Sequence, residues 1–362
     1  MVKAVKKNLK YIINIGFIAL ISLLVFRVLF KGQELSTILK DLHYADKRWL
    51  VLGIVMVFFF VAGESVIIHY MLRMFKEKIH FRTCLKYSFI GFFFSCITPS
   101  SSGGQPAQMF YMKKDGISIG LSTLIMLIIA ITYKAVLVVL GGIFLIFRKD
   151  FIMNSMGKLG WLLILGFVLN VGYIALLIVI TLKPLWAKKV GVKLINFLRR
   201  IRLINRKKKN KYIDKLSRIC DNYMTGAKYI QENVWSVLKI FLITIVQRVI
   251  LFAVTWIVYK AYGLSGSSFM DIIILQTIIS IACEMLPLPG AAGITEACFL
   301  VAFTGIFGKF LRPAMLLSRG LSFYVLLLMS GVVTFVAHII MLKKTKATGD
   351  IINTKNYNKP EK

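Results

Sequence analysis

The sequence predicts an all-α polytopic membrane protein, with six full spans plus two broken re-entrant hairpins arranged as an inverted repeat. Three observations predict it. Hydrophobic residues make up 58% of the 362, above the roughly 45–50% of soluble domains. Several apolar runs are long enough to cross a hydrocarbon core of about 30 Å, where an isolated span must be helical to satisfy its backbone. The 47 Lys and Arg outnumber the 15 Asp and Glu, for a formal net charge of +32. They flank the apolar runs and fall mostly on one side. Such asymmetry sets membrane orientation and attracts anionic lipid. The usual nucleic-acid-binding folds have no room between the runs, so no nucleic acid partner is expected.

The full spans lie at about 11–30, 49–72, 117–147, 160–182, 236–262 and 313–341. The first follows MVKAVKKNLK, as a signal peptide would. However, its apolar run passes through Arg27 to Phe30 without a small-residue cleavage site, so it reads as an uncleaved span. Basic residues place the N-terminus, segment 73–86, connection 183–231 and the tail after Met341 on the cytoplasmic side. Counting crossings back from 183–231 puts Lys113 and Lys114 inside as well. Segment 87–112 therefore begins and ends inside, although it is apolar. Segment 268–310 begins and ends outside by the same count. The first repeat is then about 49–147 and the second about 236–341, within a membrane domain of 1–345 followed by a polar tail, 346–362. Two short tilted crossings in each hairpin give the same end topology. Loop 31–48, with mixed charges, is the least clean fit to an outside loop. The expected location is the plasma membrane, with both termini cytoplasmic.

The connection 183–231 carries about fifteen basic residues. Val190, Leu194, Phe197, Ile201 and Ile204 recur at helical spacing, which describes an amphipathic helix on the inner leaflet. A second run, Ile213 to Ile230, repeats the pattern. A plain linker that obeys the positive-inside rule explains the charge equally well.

Both hairpins break at proline and glycine. The first break reads Cys96 to Gln108, CITPSSSGGQPAQ. Pro99 disfavours helix at Thr98, and Gly103 and Gly104 permit a sharp turn or close approach to a ligand. The helix restarting at Pro106 points free N–H groups into the break, beside Ser101, Ser102, Gln105 and Gln108, which suits a phosphate. The second break, Cys283 to Glu296, reads CEMLPLPGAAGITE and has the same grammar: Pro287, Pro289, Gly290 and Gly293, bracketed by Glu284 and Glu296. Carboxylates deep in a bilayer face a cavity or a partner. Glu296 also reads as a first-turn acid stabilising its own helix. Lys134 and Arg319, inside spans, are candidate partners of Glu284, Glu296 or Glu64, or holders of a lipid phosphate. Arg248 reads equally as a snorkelling residue, and His69 as structural. Cys84, Cys96, Cys220, Cys283 and Cys298 are scattered without zinc spacing and read as packing residues. No metal or cofactor is expected, and no P-loop is present for ATP.

The run Thr98 to Pro106, with Tyr111 to Ser118 after it, resembles the first signature of the lysylphosphatidylglycerol synthase transmembrane (flippase-like) family. Pro287 to Glu296 is similar to its second, and Arg319 falls where that family tends to carry an Arg. Ala291–Ala292 and Ile294–Thr295 depart mildly from the usual pattern. The resemblance covers about 10–345. It implies a membrane part that moves aminoacylated phosphatidylglycerol between leaflets, changing surface charge and conferring resistance to cationic peptides. Full-length members add a cytosolic aminoacyltransferase domain, for which this chain has no room after its last span. The resemblance therefore implies an anionic phospholipid as partner, with a separate aminoacyltransferase protein or an oligomer as further partners. The alternatives are a phosphatidylglycerol lysyltransferase, as the family name suggests, and a non-transporting membrane partner.

Overall fold

The computed structural model describes residues 43–357 apart from Lys183, Pro289 and most of 201–231, with side chains as far as Met341 except for several between 182 and 200. The expected span at 11–30, the second amphipathic run and Pro289 lie outside the described residues. The described residues form helices joined by turns and short irregular segments, with no strand. Four stretches are long and apolar enough to cross a membrane: Lys47–Met74, Ile119–Thr181, Val234–Ala261 and Thr304–Met341.

Helix α1 (Lys47–Met74) starts where Asp46 accepts from Arg48 N at 2.9 Å. The first interrupted segment follows as α2 (Phe81–Cys96) and α3 (Gly104–Lys114). Next comes α4 (Ile119–Met156), which starts at the Ser118 cap. It overruns the expected end at 147 and continues beyond a kink at Arg148. The Arg148 guanidinium reaches Asp271 at 2.8 Å, so the kinked turn is held across the fold. A turn at Gly157, φ 49°, leads into α5 (Gly160–Leu182), followed by α6 (Pro184–Arg200).

The second half repeats the order. Helix α7 (Val234–Ala261) precedes α8 (Phe269–Cys283), which begins with a Ser268–Asp271 capping box. Then come α9 (Ile294–Ala302) and α10 (Thr304–Phe307). Helix α11 (Leu311–Arg319) opens into a π-helical stretch, Gly320–Val325, and continues as α12 (Leu326–Tyr357).

Packing follows one scheme in both halves. α1 and α7 lie against each other. α1 carries α2 and α7 carries α8. α2 packs on α12 in the opposite half, and α8 packs on α4 in the opposite half. Exchanging the halves maps each of these contacts onto another. The four broken arms, α2, α3, α8 and α9, have 16, 11, 15 and 9 residues. At 1.5 Å per residue they reach only about 24, 16, 22 and 14 Å.

Candidate functional site

Each break turns the chain with two consecutive residues of positive φ. In the first, Ser100 and Ser101 follow Pro99 with φ of 49° and 56°. In the second, Gly290 and Ala291 follow Pro289 with φ of 57° and 50°. Three of these four are not glycine, and L-residues resist this region. Gly103 has an ordinary φ of −84°, so it is not needed for the turn. Its role is steric: a Cβ there would sit 2.6 Å from Thr98 Cγ2. At Gly104 a Cβ would sit 2.6 Å from the Gly91 carbonyl oxygen, so the missing side chain lets α3 lie directly on α2.

The restarting helices are capped differently. Thr98 Oγ1 takes the Gly103 N–H at 2.8 Å and donates to Phe94 O at 2.6 Å. Pro106 contributes no N–H, and the amides of Gly104 and Gln105 find no acceptor among the described residues. At α9 the Glu296 carboxylate takes the Gly293 N–H at 2.7 Å, as the first-turn reading of Glu296 anticipated.

The two breaks meet. Ser100 Oγ donates to Leu286 O at 3.3 Å. Around this contact lies a cavity of about 530 Å³. Of the candidate residues, Ser101, Ser102, Gln105, Gln108, Lys134, Glu284, Gly290, Glu296 and Arg319 line it. Gly103, Gly104, Pro287 and Gly293 stand behind, shaping the backbone.

Charge in the cavity is organised as pairs. Arg248 Nη1 and Nη2 donate to the two oxygens of Glu284 at 2.7 and 3.0 Å. Lys134 Nζ adds a third bond to Glu284 at 2.8 Å. Arg319 Nε donates to Glu296 at 2.9 Å, and its Nη2 bonds Gly290 O. Glu284 thus answers two cations, and this triad keeps one positive charge in excess. Glu64 receives the Gln108 amide at 2.5 Å. Gln105 turns away to Met126 O at 3.3 Å.

Arg248 corrects the sequence reading. It does not snorkel: its side chain is 1% exposed, with the guanidinium 3.5 Å above the Tyr133 ring. The signal was its depth, midway along a 28-residue apolar helix, beyond the reach of a side chain to either interface. Ser100 belongs to the run of three serines read as hydrogen-bond donors, whereas Gly91 and Tyr133 carried no signal of their own. Four cysteines, Cys84, Cys96, Cys283 and Cys298, are buried and free, as packing residues should be. Cys283 and Cys298 join the arms of the second break, with sulfurs 3.6 Å apart. His69 lies against Cys84, 3.8 Å from its sulfur.

Long apolar helices packed around a charge-lined cavity define a multi-pass helical membrane protein. The family model described as "Lysylphosphatidylglycerol synthase TM region" matches residues 12–330, and the chain belongs to that family. It is also similar to a UPF0104 membrane protein of Archaeoglobus fulgidus, with 26% identity over 293 residues, 76% of this chain and 82% of that protein. The family match takes in both breaks.

Proposed function

We propose that the chain carries the headgroup of an anionic or aminoacylated phospholipid, such as (lysyl-)phosphatidylglycerol, between membrane leaflets through the cavity where the breaks meet. The excess positive charge of the Lys134–Glu284–Arg248 triad carries this reading. A buried unbalanced cation is costly in a medium of low dielectric constant, and a phosphate relieves it. Ser101, Ser102 and the open N-terminus of α3 supply hydrogen-bond donors on the facing wall. An aminoacyl ammonium exchanges with Lys134 on Glu284 or with Arg319 on Glu296. The family description supports a lipid context.

The arms of both breaks fall short of about 30 Å, which supports re-entrant hairpins entering from opposite faces. The exchange symmetry of the contacts supports repeats at 49–147 and 236–341. Rocking one repeat against the other then opens the cavity to each leaflet in turn. The basic segments orient both termini to the cytoplasm of a plasma membrane.

The test is reconstitution into phosphatidylcholine vesicles containing fluorescent phosphatidylglycerol or its lysyl form. Accelerated loss of outer-leaflet label is expected, and a rate equal to empty vesicles for both lipids overturns the reading. Lysyl transfer from charged tRNA by the chain alone would instead support the transferase suggested by the family description. Arg82→Cys and Ser267→Cys, at the hairpin bases, should label from opposite faces; labelling from one face removes the inverted arrangement.

A further inference from the structure

We propose that the cavity selects a headgroup bearing hydroxyls beyond its phosphate, and that Gln276 and Ser280 on α8 hold those hydroxyls. This inference rests on the headgroup reading above and names the specificity of the same cavity. Gln276, Ser280 and Glu284 recur at every fourth residue, so they share one face at the end of α8. All three line the cavity. Glu284 is the charged end of this stripe, held by Lys134 and Arg248. The other two are neutral. At 1.5 Å per residue, Ser280 stands about 6 Å along the helix from Glu284, and Gln276 about 12 Å. The one charged residue within α8, Asp271, is in its first turn and is paired with Arg148 at 2.8 Å.

The Gln276 amide is fixed from behind. Its Nε2 donates to Thr255 Oγ1 on α7 at 2.6 Å, and Thr255 Oγ1 lies 2.6 Å from Ser318 Oγ on α11. Thr255 and Ser318 are buried, so three helices hold the amide in one orientation. Its Oε1 has no hydrogen-bond partner among the described residues. The Ser280 hydroxyl has none there either. That is unusual in this fold. The hydroxyls of Thr132, Thr244 and Thr277 each return to a carbonyl of their own helix, the ordinary answer for a hydroxyl in an apolar helix. Polar groups away from water need partners, and these two are turned to the cavity instead of to the protein.

The free atoms define the chemistry they recognise. An amide oxygen accepts, and a serine hydroxyl both donates and accepts. A ligand hydroxyl also does both, so it pairs with either. An alkyl group in the same place leaves both unpaired, and the cost of that is the source of discrimination. The bonds join neutral groups, so the excess positive charge of the triad stays available to the phosphate. A phosphoglycerol headgroup with its phosphate near the triad, directed along α8, meets Ser280 first and Gln276 beyond it.

The experiment is calorimetric titration of two short-chain lipids into the detergent-solubilised chain: dihexanoyl-phosphatidylglycerol and dihexanoyl-phosphatidylpropanol. Both carry one phosphodiester charge, and only the first has headgroup hydroxyls. Partitioning into detergent is common to wild type and variants, so the ratio of the two affinities is the reading. In the double variant Gln276→Leu, Ser280→Ala the ratio should fall about tenfold from its wild-type value. The loss should come from the glycerol lipid alone. An unchanged ratio, with both lipids bound as in wild type or both weakened equally, overturns the inference while leaving the headgroup reading intact. Absence of binding of both lipids to wild type overturns the headgroup reading, and the inference falls with it. Should the double variant fail to fold, Ser280→Ala, which removes a single oxygen, decides the matter. A ratio lowered a few-fold supports the hydroxyl site, and an unchanged ratio overturns it.

Discussion

In the first break the helix restarts behind a threonine; in the second it restarts behind a glutamate. The turns match as far as the glycine: a proline, two residues of positive φ, a small residue and then Gly103 with φ −84° in the first and Gly293 with φ 89° in the second. At the glycine the solutions part. The Gly103 N–H goes to the neutral Thr98 hydroxyl, and the Gly293 N–H goes to the Glu296 carboxylate. A charged cap neutralises the positive end of a helix dipole, and a hydroxyl does not. The second break is therefore electrostatically closed, with Arg319 as its counter-ion. The first break keeps an open positive end beside three serines. One backbone design thus serves once as a candidate anion site and once as a self-satisfied wall.

The largest way to break this division is to remove Glu284, which sits at the second break but binds cations from α4 and α7. Glu284→Ala leaves Arg248 buried with no counter-charge, and losing one partner of a buried pair costs about 3–5 kcal/mol. Thermal unfolding in detergent should show this loss. Glu296→Ala frees Arg319, which is 15% exposed and faces the cavity, and should cost less. Equal losses would mean that the two acids are not used differently.

Much of this arrangement was legible in the sequence, for identifiable reasons. Spans read well because lipid forces long apolar helices: 49–72, 160–182 and 236–262 lie within two residues of α1, α5 and α7. The breaks read well because proline and glycine act locally. Pairings did not read, because Lys134 and Glu284 are 150 residues apart and Glu64 and Gln108 are 44 apart. The turn residues were assigned to Gly103 and Gly104, yet Ser100 and Ser101 take the positive φ. Serine gives no sign of that conformation in advance. The glycines answer a packing demand that only the neighbouring helix reveals.

A second test concerns that packing demand. Ile294 in the second break aligns with Gly104 in the first, so only one of the two positions is crowded. Gly104→Ala would press a Cβ toward the Gly91 carbonyl, a backbone atom that cannot swing aside. Overpacking of this kind costs about 1–3 kcal/mol. Ile294→Ala removes side-chain contacts and creates no clash. Reduced protease resistance of the first break in Gly104→Ala checks the prediction. Unchanged resistance would show that α2 and α3 separate easily.

A third test transplants the difference. Pro106 in the first break aligns with Glu296 in the second. Pro106→Glu places a carboxylate at the open amides of Gly104 and Gln105. It should stabilise α3 by up to about 1 kcal/mol through the helix dipole. It should also weaken dihexanoyl-phosphatidylglycerol binding, by roughly tenfold for each 1.4 kcal/mol lost. Rising melting temperature with falling affinity is the expected signature. If both fall together, the substitution has only damaged the turn, and the open helix end is not the anion site.

The smallest effect separates backbone from chemistry. Ser101 and Ala291 occupy matching positions with φ of 56° and 50°. Glycine at either relieves a left-handed conformation that costs an L-residue about 1–2 kcal/mol. It also adds freedom to the unfolded chain, which offsets about 0.4–1 kcal/mol of that gain. Ser101→Gly and Ala291→Gly should therefore both leave the melting temperature unchanged or slightly raised. Only Ser101→Gly removes a hydroxyl from the cavity wall, so only it should lower affinity for the anionic lipid, by a few-fold. The stability of the two variants tests whether the breaks share a backbone, and their affinities test whether the first alone holds the phosphate. A loss of affinity in Ala291→Gly equal to that in Ser101→Gly would place the headgroup between the breaks instead of against the first.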